Sequence, residues 1–90
     1  MTTVSAPPAT VRLLLFAIYR ELAGGRGELE VTIPPGADVA AALAAARARV
    51  PAFSRLPERP AVAVNRVYAD LDTPLADGDE LALLPPVAGG

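Results

Sequence analysis

"ELEVTIPPGADVAAALAAARARV", residues 28–50, decides the fold. Its first six residues alternate, with Leu29, Val31 and Ile33 on one side and Glu28, Glu30 and Thr32 on the other. That is the period of a half-buried strand. Pro34-Pro35-Gly36 turns the chain. Asp38 then stands where a helix N-cap belongs. Val39, Leu43, Ala46 and Val50 follow at spacings of four, three and four, so they share one helical face. Arg47 and Arg49 fall in the last turns, where positive charge suits the helix dipole. Pro51 ends the helix. A helix so rich in alanine can lie close against a sheet.

Upstream, "VRLLLFAIY" (residues 11–19) is an apolar run that reads as a strand covered, or nearly covered, on both faces. Alternation puts Val11, Leu13 and Leu15 on one face. Arg12, Leu14 and Phe16 take the other, and Arg12 marks that one as partly exposed. A single helical turn in "YRELAGGRG" ends at Gly24-Gly25. Downstream, "PAFSRLPERP" is a proline-punctuated loop with one or two apolar anchors. "AVAVN" is a strand with Val62 and Val64 alike in direction. Residues 65–80 hold turns and a short edge segment, and "ELALL" (residues 80–84) is the last strand. Glu80, Ala82 and Leu84 share one of its faces.

The order is therefore strand, strand, helix, strand, short elements, strand. One main helix packed on a mixed sheet is an α+β roll. Ninety residues make one domain. We divide it into a disordered leader at residues 1–10, a folded domain at 11–84 and a C-terminal tail at 85–90.

Composition excludes several chemistries. The chain has no cysteine and no histidine. Disulfides, thiolates, zinc sites and imidazole acid–base catalysis are therefore absent. All eight positive charges are arginine, so no lysine nucleophile exists. A net charge of −2 with no basic stripe argues against nucleic acid. No apolar run is long enough to span a membrane. The leader lacks the basic start and apolar stretch of a signal peptide, so a cytoplasmic location is expected.

The acidic residues Asp70, Asp72, Asp77, Asp79 and Glu80 miss calcium-loop spacing and read as turn scaffolding, with no metal site. "AGGRG" (residues 23–27) lacks the lysine and hydroxyl of a phosphate loop and reads as a helix C-cap.

The tail carries the remaining chemistry. Pro85-Pro86 cannot continue a ladder and favours a stiff, extended exit. Val87 and Ala88 follow. Gly89 and Gly90 have no Cβ, so they thread a tunnel too narrow for other residues. The terminal carboxylate is ionised at neutral pH and is a poor electrophile, so it needs activation, for example as an acyl-adenylate. This chain has no ATP site, so a second protein must supply that step.

Five features resemble one known family: Phe16-Ala17, Arg20-Glu21, Val64-Asn65, "DGDE" at residues 77–80 and the closing "PPVAGG". They are similar to the sulfur-carrier small subunits of molybdopterin synthase, which have the ubiquitin-like β-grasp fold. The likeness runs from Val11 to Gly90. It implies that an E1-like activating enzyme adenylates Gly90 with ATP and that a sulfur donor protein converts the adenylate to a thiocarboxylate. It implies that the tail enters the synthase large subunit and gives its sulfur to a pyranopterin precursor of the molybdenum cofactor. The large subunit then supplies the catalytic side chains, in a heterotetramer of two small and two large subunits. No bound cofactor is expected. Phe16, Tyr68 and Leu84 match the family's partner-docking positions. Arg12 and Arg66 are available to partner carboxylates. The alternatives are a carrier of the thiamine pathway or of another sulfur route, a ubiquitin-like protein modifier, and an interaction module with an inert tail.

Overall fold

The computed structural model describes residues 7–86. Five strands, β1 (Ala9–Leu15), β2 (Glu28–Ile33), β3 (Ala61–Val64), β4 (Val67–Ala69) and β5 (Glu80–Leu84), form one sheet in the order β2-β1-β5-β3-β4. The central pair, β1 and β5, is parallel; every other neighbour is antiparallel. The main helix α2 (Val39–Arg49) and a 3-10 helix at Pro51–Arg55 lie between β2 and β3 in the chain. A short helix, α1 (Ala17–Leu22), sits in the β1–β2 connection. This is the expected α+β roll, a mixed sheet on one main helix in the β-grasp arrangement.

The alternation read in residues 28–33 holds residue by residue: Leu29, Val31 and Ile33 are buried and Glu28, Glu30 and Thr32 exposed. On the same face Val11, Leu13 and Leu15 of β1, Val62 of β3 and Leu81 and Leu83 of β5 are buried. They form one core with Val39, Ala42, Leu43 and Ala46 of α2. Phe53 and Leu56 are the anchors of the proline-rich segment, and Phe53 is fully buried. Asp38 caps α2 by accepting the Ala41 N–H at 3.0 Å. Burying one Leu or Val contributes roughly 1.5–3 kcal/mol. An exposed ion pair contributes less than about 1 kcal/mol. The core, not the surface charge, holds the sheet.

Three expectations are corrected. β1 begins at Ala9, which pairs with Ile33 and is buried, so the last residues of the 1–10 segment belong to the sheet rather than to a leader. Residues 1–6 lie outside the described residues. At its other end the first strand stops at Leu15, not Tyr19. Ala17 takes φ +49°, a left-handed backbone that no strand continues through, and Ile18 and Tyr19 enter α1. β1 is also buried on one face only, since Arg12 is exposed and Leu14 half-buried.

α1 ends as the glycines predicted. The Gly25 N–H donates to the Arg20 carbonyl and the Gly24 N–H to the Glu21 carbonyl, both at 3.0 Å, and both glycines have positive φ. That pairing is a Schellman C-cap.

Candidate functional site

The face of the sheet opposite α2 carries the site. Register sets its rows. Leu14, Ala82, Ala63 and Tyr68 stand opposite one another across β1, β5, β3 and β4. One step toward the C-terminal end of β5, Leu84 pairs with Ala61. Phe16 is in extended backbone (φ −122°, ψ 154°), so it continues the alternation of Arg12 and Leu14 onto this face. Phe16 is 46% exposed and Tyr68 83% exposed, and Leu84 is half-buried. The three candidate docking residues therefore share one face, with the small residues Ala61, Ala63 and Ala82 between them. None of the three packs under the helix. An apolar face of this kind, at a strand that leads into a tail, is suited to docking a second protein.

The other end of the same face is charged and self-satisfied. Arg12 lies between Glu28 at 3.4 Å and Glu80 at 3.3 Å. Arg12 is thus engaged within the chain, and Arg66 is not: it makes no ion pair among the described residues. Beyond Leu84, Pro85 is half-buried and Pro86 exposed. Val87, Ala88, Gly89 and Gly90 lie outside the described residues. Pro86 borders a groove of about 350 Å³ lined by Ile18, Tyr19, Leu22, Arg55 and Pro57. Ile18 is 49% exposed, so apolar surface flanks the root of the tail on the α1 side as well.

Of the acidic residues around this turn, Asp77 and Asp79 scaffold it. Asp77 Oδ1 accepts the Thr10 N–H at 2.7 Å and Asp79 Oδ2 accepts the Ala76 N–H at 2.8 Å. The Asn65 side chain donates to Asp79 Oδ1 and accepts the Glu80 N–H, each at 3.0 Å. Among the described residues no three His, Cys, Asp or Glu gather as a metal would need. No described helix is long and apolar enough to cross a membrane. Burial pushes the Tyr19 phenol above its ordinary value by desolvation.

The structure brings Phe16, Tyr68 and Leu84, named from the sequence, onto one face. Sequence reasoning missed the row Leu14–Ala82–Ala63 that joins them, because strand order is not written in any local pattern. It also missed the exposure of Ile18, which looked like the interior of a strand.

The "ThiS family" model matches residues 13–90. A Mycobacterium tuberculosis protein named molybdopterin synthase sulfur carrier subunit is 36% identical over 80 residues, covering 89% of this chain and 96% of that one. The solved small archaeal modifier protein 1 of Haloferax volcanii is 37% identical at a TM-score of 0.80, covering 88% of this chain and 99% of that chain. A Helicobacter pylori structure, described as a complex of subunits 1 and 2 of molybdopterin-converting factor, is 28% identical at a TM-score of 0.62. It covers 90% of this chain and 99% of that one.

Proposed function

Because the chain belongs to the ThiS family, we propose that it is a sulfur carrier, the small subunit of a molybdopterin synthase. The observation that carries this reading is the open apolar face at the root of the tail, on a chain that aligns along nearly its whole length with a named sulfur carrier subunit. The fold holds the root still: β5 is paired on both sides, by β1 and β3, and two prolines then leave the sheet. The working group is the Gly90 carboxyl.

As an ionised carboxylate it does not accept a nucleophile. An E1-like activating enzyme joins it to AMP from ATP with release of pyrophosphate, and a sulfur donor displaces AMP to leave the thiocarboxylate. The large subunit receives the tail, and the sulfur passes to a pyranopterin precursor. The complex of the two Helicobacter pylori subunits supports the pairing with a large subunit. The absence of any Cys, His or Lys from the chain suits a carrier whose partners hold the catalytic groups.

The test is an intact mass after incubation with activating enzyme, ATP and a sulfur source. A shift matching one oxygen replaced by sulfur, mapped to the C-terminal peptide, is the expected result. A second reading, a protein modifier, is supported by the likeness to the Haloferax volcanii modifier protein. It predicts conjugates to lysine side chains of other proteins instead.

A further inference from the structure

β3 and β4 are joined by two residues, Asn65 and Arg66, and both have positive φ, +49° and +71°. A two-residue hairpin turn of this hand favours Asn followed by Gly. Asn tolerates the left-handed region because its short side chain finds local partners. Asn65 has them in Asp79 and Glu80. Arginine at the second position has no such excuse. Its Cβ is strained at that φ, and glycine removes the strain.

Arg66 also gains nothing inside the chain. Arg12, Arg20, Arg47 and Arg49 each donate to an oxygen of their own chain, whereas Arg26, Arg55, Arg59 and Arg66 have no side-chain bond among the described residues, so position rather than a free guanidinium singles out Arg66. Arg66 is exposed and has no hydrogen bond or ion pair among the described residues, although its neighbour Asn65 touches both Asp79 and Glu80. Its position is specific. It stands at the tip of the hairpin, two residues before Tyr68, at the Glu80 end of the face and opposite the end that holds Leu84. Among the described residues, the non-glycine positions with positive φ are Ala17, Asn65 and Arg66. Ala17 follows Phe16 at one end of the face, and Arg66 precedes Tyr68 by two residues at the other. Strain of this sort gathers at functional sites.

We propose that Arg66 is a partner-recognition residue: it pairs with an Asp or Glu carboxylate on the protein that docks against Phe16, Tyr68 and Leu84. A rim cation next to an apolar patch speeds encounter and rejects partners with a like charge. The inference rests on the docking-face reading above.

The experiment measures binding of the full chain to the large subunit of its cell's molybdopterin synthase, at low and high salt, with melting temperature in parallel. R66G is expected to raise the melting temperature, because the turn becomes Asn-Gly. It is expected to weaken binding roughly two- to fivefold at low salt, with the difference fading at high salt. R66Q keeps the backbone strain and loses the charge; it shows the same binding loss without the gain in stability. R66K recovers most of the affinity. If R66G and R66Q bind as tightly as the parent while Y68D binds weakly, the docking face stands and the role of Arg66 is overturned. If Y68D also binds normally, the docking face itself is refuted, and Arg66 with it.

Discussion

Asn65 and Asp79 are joined side chain to side chain, Asn65 Nδ2 donating to Asp79 Oδ1 at 3.0 Å. The same amide accepts the Glu80 N–H through its oxygen, and the Asn65 N–H donates to the Glu80 carbonyl at 2.8 Å. One residue thus ties the β3–β4 hairpin to the entry of β5. The two motifs quoted for it, Val64-Asn65 and residues 77–80, lie far apart in the chain and meet here.

Asn65→Ala removes both side-chain bonds and leaves a Cβ in the left-handed region without local compensation. The expected loss is about 2 kcal/mol of stability. For a domain of this size that lowers the melting temperature by about 10 °C. Asn65→Gly loses the bonds but relieves the backbone, so its loss is smaller. Thermal unfolding of the two variants side by side checks the order.

Phe16→Asp and Leu84→Asp test the open face. Phe16 is 46% exposed, so replacing it costs little in folding, whereas a buried charge at a docked interface is expensive. Binding to the large subunit is expected to fall by at least about tenfold, with melting temperature nearly unchanged for Phe16→Asp. Calorimetry of binding at equal affinity to the parent would remove the face from the mechanism.

Deleting Gly90, or replacing Gly89 with Trp, is expected to abolish the mass shift of sulfur loading. Both positions lie outside the described residues, and unfolding is expected to match the parent. A lowered melting temperature in these variants would mean that the tail has a structural role.

Tyr19 sets an alkaline limit. Burial raises its phenol above the ordinary value of about 10. The folded chain therefore keeps the proton that the unfolded chain gives up. Its contribution is complete below the unfolded pKa and is lost as pH rises through the folded one. Melting temperature followed from pH 9 to pH 11 should fall less steeply in Tyr19→Phe than in the parent.

β2, α2, its Asp38 cap and its Pro51 stop were legible because each rests on local periodicity or a capping residue. The end of β1 was not. "LFAIY" (residues 15–19) is equally apolar as strand or helix, and what decides it is the positive φ of Ala17, a residue that rarely adopts one. The start of β1 was hidden for a different reason: Ala9 and Thr10 look like leader until Ile33 and Thr32 are there to pair with them. Parity put Phe16 with Arg12 and Leu14, and Leu84 with Glu80 and Ala82; only the β1–β5 register joins the two sets on one face. Tyr68 joined them only through the register of β3, β4 and β5, which depends on contacts distant in the chain. Arg12 was read as available to partners, and the structure gives it to Glu28 and Glu80.

β5 occupies the middle of the sheet, between β1 and β3. A ribosome delivers it after β1, β2, α2, β3 and β4. Until it arrives, β1–β2 and β3–β4 are two separate hairpins with nothing between them, and the pairing that unites them spans most of the chain. Such long-range closure is slow and makes folding all-or-none. A chain lacking β5 leaves its two hairpins unjoined. The strand that roots the tail is thus also the strand on which the whole sheet depends.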